Sequence, residues 1–313
     1  MAAVLDWSPK ITRKMRVRTF CYWGCLSIAL LLTAEESGER AYRNEVQKWR
    51  DEYTASLKEE NGWVALAGLF WLKEGANPFG AASTSSIVLP PGSAPGSAGC
   101  FIFHQGNTQL LVNSGAPVLL NGKPVPSPAS LKPDSSGEPD RITLGHLSMI
   151  VIQRGVRYGI RLWDNRSPAR LNFAGTRWFP VKESYRVTAQ FTSYPQPRMI
   201  PIRNILGDTE PTPSPGFAAF ELGGKQCRLE PVVERDQLCF MFKDATSGHA
   251  TYPAGRFLYT ALPVDGEVIL DFNHAHNPPC AFTPYATCPL PPKQNHLSVA
   301  VEAGELNSRH AAN

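Results

Sequence analysis

The sequence predicts a mainly β fold, in which one N-terminal helix precedes a β-sandwich-like domain packed on a second antiparallel β-sheet or barrel domain. The 313 residues include 28 prolines and 25 glycines, which favour many turns over long helices. Short β-branched and aromatic runs, separated by turn residues, also recur along most of the chain. A chain of this length accommodates two ordinary hydrophobic cores, so we predict two β domains.

Composition excludes several classes of protein. A chain with 42% hydrophobic and 19% charged residues is neither disordered nor a multi-pass membrane protein. The chain has 31 Lys and Arg residues and 27 Asp and Glu residues. Residues 1–34 contain five of the basic and one of the acidic residues, so the rest of the chain carries 26 basic and 26 acidic residues. This neutral remainder gives no indication of nucleic-acid binding.

Residues 1–34 have the pattern of a signal peptide. Five basic residues between Lys10 and Arg18 precede the uncharged run Thr19–Ala34, as a basic region precedes the apolar core of a signal. This run of 16 residues is slightly short for a membrane-spanning helix. We therefore predict export to a secreted or periplasmic location. The alternative is an uncleaved segment, residues 19–34, which would then be the chain's only membrane contact.

Residues 40–75 are predicted to lead into the first β domain. Four apolar residues recur among charges at helical spacing: Val46, Trp49, Tyr53 and Leu57. This spacing predicts an amphipathic helix over Arg40–Glu60. The apolar segment Trp63–Leu72 then predicts a buried element beneath the first sheet, because it is too short to cross a membrane.

Residues 76–166 are predicted to form the first, sandwich-like β domain. The predicted strands are Ile87–Leu89, Gly99–His104, Gln109–Val112, Pro117–Leu120, Ile142–Leu144, Ser148–Gln153 and Tyr158–Trp163. Asn121-Gly122 predicts a tight hairpin turn, because both residues tolerate positive φ. Seven short strands at this spacing favour a sandwich or a small barrel.

Residues 167–306 are predicted to form the second β domain, followed by a tail over residues 307–313. The predicted strands are Ser184–Phe191, Phe217–Leu222, Gln226–Val233, Gln237–Lys243, Gly255–Thr260, Glu267–Asp271 and His296–Glu302. The segment Thr209–Gly216 is interpreted as a proline-rich connection. An antiparallel sheet that closes or half-closes would leave few edges exposed.

The stretch Leu270–Pro292 interrupts this regular pattern and carries the candidate site. Six prolines follow Leu270 within it, so it predicts a stiff loop instead of a helix or an inner strand. Loops held on a rigid scaffold often carry function. The candidate catalytic residues are Asp271, Asn273, Cys280 and Tyr285, and the candidate ligand-binding residues are Arg256, Asn277, Trp178, His274 and Cys288. Arg256 is expected to pair with Asp271 or to clamp an anionic group.

Cys280 and Cys288 leave four interpretations open. In an oxidising compartment they close a structural disulfide. Together with Asp271 and His274 or His276 they bind zinc, which makes zinc the one cofactor considered, although structural zinc sites usually have closer cysteines. Cys280 alone acts as a nucleophile beside His274. In the fourth interpretation both are buried, unpaired thiols.

Three sequence blocks together are similar to a known family. They are Arg161–Asp164, Arg177–Pro180, and Gly255–Leu258 leading into Asp271–Asn273 and Asn277–Pro292. Over roughly residues 45–306 the chain resembles the bacterial domain-of-unknown-function family sixteen eighty-four. The resemblance implies a shared fold and membership, and the family brings no established activity. His276 stands where the family usually has tyrosine, so a mechanism that needs His276 would not be the family's.

Two functional hypotheses follow from the loop. In the first, a small-molecule ligand is bound or converted at a pocket formed by residues 271–288 with Arg256 and Trp178. This hypothesis predicts a concave pocket where the polar groups of the loop converge. In the alternative, the chain is a non-catalytic envelope protein whose proline-rich loop is a structural plug. Its Asp and Asn side chains then satisfy one another and nearby amides without leaving a cavity.

Overall fold

The computed structural model of the protein describes residues 26–307, with side chains from residue 37 onward. Residues 1–25 of the predicted signal segment lie outside this range, as do the last six residues of the predicted tail. In the part of the chain that the structure describes, no helix is both long enough and apolar enough to cross a membrane.

The N-terminal helix is confirmed. Helix α1 spans Leu26–Lys58, and a single-turn helix α2 spans Pro168–Leu171. One stripe of α1 is buried, including Val46, Arg50 and Leu57, and it packs on the rest of the molecule. A short 3-10 turn, Trp63–Ala65, follows α1 and leads into the first strand.

The described residues form eighteen strands. In chain order they are β1 (Leu66–Trp71), β2 (Gly75–Gly80), β3 (Ile87–Val88), β4 (Gly99–His104), β5 (Asn107–Val112), β6 (Val118–Leu120), β7 (Lys123–Pro124), β8 (Ala129–Leu131), β9 (Ile142–Leu144), β10 (Leu147–Arg154), β11 (Arg157–Asp164), β12 (Arg186–Arg203), β13 (Thr209–Leu222), β14 (Lys225–Leu229), β15 (Val232–Glu234), β16 (Gln237–Phe242), β17 (Arg256–Ala261) and β18 (Glu267–Asp271).

Strands β1 to β11 form two facing sheets, in agreement with the predicted sandwich. Their orders are β1-β11-β10-β9-β6-β7 and β3-β2-β4-β5-β8, and every pairing is antiparallel except that of β2 with β3. Phe79 and Phe101 from one sheet share a core with Met149 and Ile160 from the other. Alternate side chains of each strand point into this core, which is the arrangement of a two-layer sandwich.

The Asn121-Gly122 hairpin lies in this first pair of sheets. β6 and β7 pair on either side of it, with φ values of 50° at Asn121 and 76° at Gly122. The Asn121 side chain also accepts a hydrogen bond from the Arg141 amide at 2.8 Å. The prediction of a tight turn with positive φ is therefore confirmed.

Strands β12 to β18 form two further antiparallel sheets. Their orders are β14-β13-β12-β18 and β15-β16-β17, and neither closes into a barrel. Phe220 and Leu270 from the first of these sheets share a core with Phe240, Phe242 and Leu258 from the second. Of the two predicted forms for this part of the chain, the open sheet is the one observed.

Two predictions in this part of the chain are wrong. Thr209–Gly216, interpreted as a connection, is the first half of β13 and pairs with β12. Its prolines are tolerated because β14 pairs only with residues 218–222, so this half has one strand partner and an open edge. The predicted strand His296–Glu302 is irregular, with a single bridge between His296 and Lys243. Its alternation of apolar residues reflects burial over the core, not strand pairing.

The proline-rich loop of residues 271–288 leaves the sheet at the end of β18. β18 pairs with β12 so that Asp271 lies opposite Arg186. The next residue, Phe272, is fully buried, and its ring lies 5.7 Å from that of Phe220 and 5.4 Å from that of Phe242. This aromatic contact anchors the start of the loop in the core, between the sheets and α1.

Candidate functional site

The start of the proline-rich loop is held by its own polar side chains. The Asp271 carboxylate accepts the backbone amide of Asn273 at 3.0 Å and caps the 3-10 turn Phe272–His274. Asn273 is fully buried, and its side chain makes two hydrogen bonds to the backbone of Lys182. The side-chain amide donates to the Lys182 carbonyl at 2.9 Å, and the side-chain oxygen accepts from the Lys182 backbone amide at 3.1 Å. Such bonds replace the amide donors that prolines remove from the loop.

Helix α1 supplies the remaining partners of this region. The Tyr42 hydroxyl lies 2.9 and 2.8 Å from the two carboxylate oxygens of Asp271. Arg50 donates to the carbonyls of Phe179 and Asn273 at 2.9 and 3.1 Å. The first turn of the loop is therefore tied to α1 by side chains more than 200 positions away in the sequence.

These contacts set the charge state of Asp271. Burial alone would raise the pKa of its carboxyl group, but hydrogen bonds from His274, Tyr42 and Asn273 outweigh burial and lower it below its ordinary value. Burial, followed by the charge of Asp271, raises the pKa of Tyr42 well above its ordinary value. Asp271 is thus an ionised carboxylate that is paired inside the protein.

Two histidines that follow Asp271 in the loop lie in different environments. His274 keeps its Nδ1 atom 3.3 Å from Asp271 and its side chain 24% exposed, and its ring meets Trp49 edge-on at 4.7 Å. The ring of His276 lies 4.8 Å from that of Tyr53. Burial lowers the pKa of His276 to about 4, so His276 is neutral at pH 7.

The expected pairing of Arg256 with Asp271 is wrong. Arg256 is fully buried and donates to the Asp244 carboxylate at 2.7 Å, to the Val301 carbonyl at 3.0 Å and to the Ala303 carbonyl. The Asp271 carboxylate is already occupied by partners from α1 and from its own loop. Arg256 therefore stabilises the C-terminal segment through the carbonyls of Val301 and Ala303, and it is inaccessible to a ligand.

Glu305 belongs to the polar network of the loop, although it was not among the predicted site residues. It is fully buried, and its Oε2 atom accepts the amide of Asn277 at 2.8 Å, while the Asn277 side chain donates to the Leu306 carbonyl at 2.9 Å. Burial raises the pKa of Glu305 to about 8. No local motif identifies this residue, since it follows an irregular segment and acts through a contact 28 residues away.

The two loop cysteines lie in contact as free thiols. The Cys280 amide donates to the Cys288 sulfur at 3.2 Å, and no disulfide is present among the described cysteines. The described residues also contain no group of three or more His, Cys, Asp and Glu placed to hold a metal ion. His274 is turned to Asp271 and His276 to Tyr53, so the ligand set considered for zinc is not assembled.

Trp178 links the loop to an open groove. Its ring meets those of Trp49 and Tyr53 edge-on, each at 5.8 Å, and its Nε1 atom donates to Thr176 at 2.7 Å. The groove, of about 470 Å³, runs between α1 and the segment of residues 173–178. It is lined by Gln47, Asp51, Thr54, Ala55, Lys58, Phe173, Ala174, Gly175, Thr176 and Trp178. Trp178 is the predicted site residue that lines it, whereas Tyr285 is 37% exposed and does not.

The fold and the loop together define a mainly β protein whose N-terminal helix covers a proline-rich loop. Residues 171–306 match the model of the family described as "Protein of unknown function (DUF1684)", and this part of the chain belongs to that family. The match confirms the resemblance drawn from the sequence blocks over that range.

A solved structure is also similar to this chain. It is the solution NMR structure of an uncharacterised protein from gene locus rrnAC0354 of Haloarcula marismortui. The two share 32% sequence identity over 46% of this chain and 83% of that chain, with a TM-score of 0.39. A comparison with curated proteins found no match.

Proposed function

We propose that the protein binds a small, neutral, polar ligand in the groove between α1 and residues 173–178, on the outer side of the proline-rich loop. The lining of the groove carries this proposal. Trp178 and Phe173 supply aromatic surface, and the polar side chains of Gln47, Asp51 and Thr54 lie beside it. An apolar ring face next to donors and acceptors suits a ring-shaped, hydroxyl-bearing molecule such as a sugar. The volume of the groove lies within the range of roughly 300–1,000 Å³ that is usual for small-molecule sites.

The charges along the groove favour a neutral ligand. Asp51 and Lys58 lie on the same helix with opposite signs, and no further ionisable side chain lines the groove. Gln47 donates to the Asp51 carboxylate at 2.8 Å, which leaves the second carboxylate oxygen to accept from a ligand hydroxyl. Hydrogen bonds to a charged acceptor are the stronger kind, so Asp51 is the polar anchor of the proposed site.

Binding is proposed in preference to conversion because the predicted catalytic residues do not line the groove. Asp271 and Asn273 use their polar atoms within the protein, and Cys280 lies beside Cys288. The Asp271–His274 pair resembles a carboxylate that orients an imidazole base. A general base also needs a substrate within hydrogen-bond reach, and neither residue lines the groove.

A specific observation supports the alternative function, a structural protein whose loop is a plug. The loop side chains of Asp271, Asn273 and Asn277 are bonded to protein groups from α1, Lys182 and the C-terminal segment. Of the polar atoms in these three side chains, only the buried Asn277 Oδ1 atom lacks a hydrogen-bond partner among the described residues. Such pairing of polar groups is what a plug requires. In that case the groove would bind nothing. Export to a secreted or periplasmic location stays a prediction under either function.

The experiment is a ligand-observed NMR screen of the purified full chain against neutral mono- and disaccharides at about millimolar concentration. A Kd near 1 mM corresponds to about −4 kcal/mol, which is within reach of a small open groove. Asp51→Ala removes one charge-assisted hydrogen bond, worth roughly 1.5–3 kcal/mol, and should weaken binding about tenfold or more.

Lys48→Ala is the matched control, because Lys48 is exposed on the same helix and does not line the groove. It should leave saccharide binding unchanged. The proposal fails if no neutral saccharide binds, or if Asp51→Ala binds the same saccharides as tightly as the wild type.

A further inference from the structure

The two loop cysteines form a second chemical feature, separate from the groove. Seven residues separate Cys280 from Cys288, yet the amide of the first donates to the sulfur of the second at 3.2 Å. Cys280 lies in the 3-10 turn Pro279–Ala281, where the prolines restrict the backbone. The turn therefore holds the two cysteines next to each other.

The two thiols differ in exposure, as an attacking and a resolving cysteine do. Cys280 is partly exposed, whereas Cys288 is only 4% exposed. The Tyr252 hydroxyl lies beside Cys280 and donates to its carbonyl at 2.8 Å. A reagent from solvent would therefore reach Cys280 before the buried Cys288.

The pKa values of the two thiols also favour Cys280 as the attacking cysteine and Cys288 as the resolving cysteine. The hydrogen bond with Cys288 lowers the pKa of the Cys280 thiol, and burial raises that of Cys288. Burial also raises the pKa of the partly exposed Cys100 and Cys227. Because the thiolate is the reactive form, Cys280 is the described cysteine that is best placed to act as a nucleophile.

We propose that Cys280 and Cys288 are a redox-active dithiol that exchanges with low-molecular-weight disulfides. The Cys280 thiolate attacks one sulfur of the disulfide RSSR, forms a mixed disulfide and releases RS⁻. The Cys288 thiolate then attacks the Cys280 sulfur, closes the intramolecular disulfide and releases the second RS⁻. Both thiol protons leave with the two RS⁻ groups as RSH. The protein dithiol is oxidised by two electrons and RSSR is reduced to two RSH. This proposal does not depend on a ligand in the groove.

The test uses the reduced full chain and oxidised glutathione as the disulfide. After exposure, free thiols are alkylated in denaturant and the protein is digested with trypsin. Both cysteines fall in the single tryptic peptide Phe257–Lys293, which holds no other cysteine. We expect this peptide to become two hydrogens lighter and to take up no alkyl group. The peptides with Cys100 and Cys227 should remain fully alkylated.

Variants separate the two steps. In Cys288→Ser, glutathione should remain attached to Cys280, because the resolving thiol is missing. In Cys280→Ser, the buried Cys288 should stay free, and the control Cys227→Ser should behave as the wild type. Native wild-type protein, which needs no substitution, should show alkylation of Cys280 at least about tenfold faster than that of Cys227.

The proposal is overturned if the peptide Phe257–Lys293 keeps two alkylatable thiols while glutathione modifies other cysteines. Equal alkylation rates of Cys280 and Cys227 in the native protein would also overturn it.

Discussion

Glu305→Gln gives the sharpest test of the polar network beneath the proline-rich loop. The substitution keeps the size and shape of the side chain and stays neutral at every pH. The Glu305 side chain is fully buried, its Oε2 atom accepts the Asn277 amide at 2.8 Å, and burial raises its pKa to about 8. A glutamine oxygen can accept the same hydrogen bond, so the variant removes the ionisable group with little change in packing.

The sign of the effect follows from the raised pKa. The native state binds the proton of Glu305 more tightly than the unfolded chain, in which the pKa is near its ordinary value of 4.5. The stabilisation is therefore complete below pH 4.5 and is lost as the pH rises to about 8. The loss is about 1.4 kcal/mol per pH unit in that window, and so on the order of 3 kcal/mol between pH 5 and pH 7.

The assay is urea unfolding of the wild type and Glu305→Gln at pH 5, 6, 7 and 8. The variant should gain stability relative to the wild type across this range, by about 3 kcal/mol between pH 5 and pH 7. Glu302→Gln is the control, because its side chain is 57% exposed and should show no such trend. A difference between Glu305→Gln and the wild type that stays constant with pH would refute the reasoning.

Three further substitutions test other contacts by urea unfolding at pH 7. Tyr42→Phe removes the hydroxyl between α1 and Asp271 and should cost about 1–3 kcal/mol, whereas Tyr285→Phe at an exposed site should cost less than about 0.5 kcal/mol. Arg256→Met leaves the Asp244 carboxylate buried without its partner and should cost about 3–5 kcal/mol. Adding Asp244→Asn should recover part of this loss, and no recovery would argue against the buried pair. Asn121→Ala should cost about 1 kcal/mol at a position with φ of 50°, and an unchanged midpoint would contradict the turn assignment.

Most of the regular structure could be predicted from local sequence patterns. The predicted bounds of Gly99–His104, Ile142–Leu144 and Glu267–Asp271 agree with those of β4, β9 and β18. In each case the apolar or β-branched run and its flanking turn residues lie next to each other in the sequence. The patterns failed where long-range packing decides the structure. In Thr209–Gly216, the prolines lie in the half of β13 that has an open edge. In His296–Glu302, the alternating apolar residues are buried in the core, but the segment does not pair as a strand.

The concentration of polar groups in the proline-rich loop was predicted from the sequence, but their hydrogen-bond partners were not. The proline-rich loop does concentrate buried polar groups, as the residue types indicated. The partner of Asp271 is Tyr42, 229 positions away, and the partner of Arg256 is Asp244. Spacing within the loop carries no information on either contact, because the docking of α1 and the packing of the C-terminal segment decide them. The groove depends on the same docking, and Trp178 alone among the predicted residues lines it.

The central claim, that a neutral polar ligand occupies the groove against Trp178, is tested most directly by two-dimensional NMR of the tryptophan indole N–H groups. The sequence holds seven tryptophans, and Trp178→Phe assigns the signal of interest by its loss. On titration with a saccharide that binds, the Trp178 signal should shift in proportion to occupancy. The signal of Trp163, which packs with β1 and β10, should stay in place. A saccharide that reaches saturation while the Trp178 signal does not move would contradict the claim.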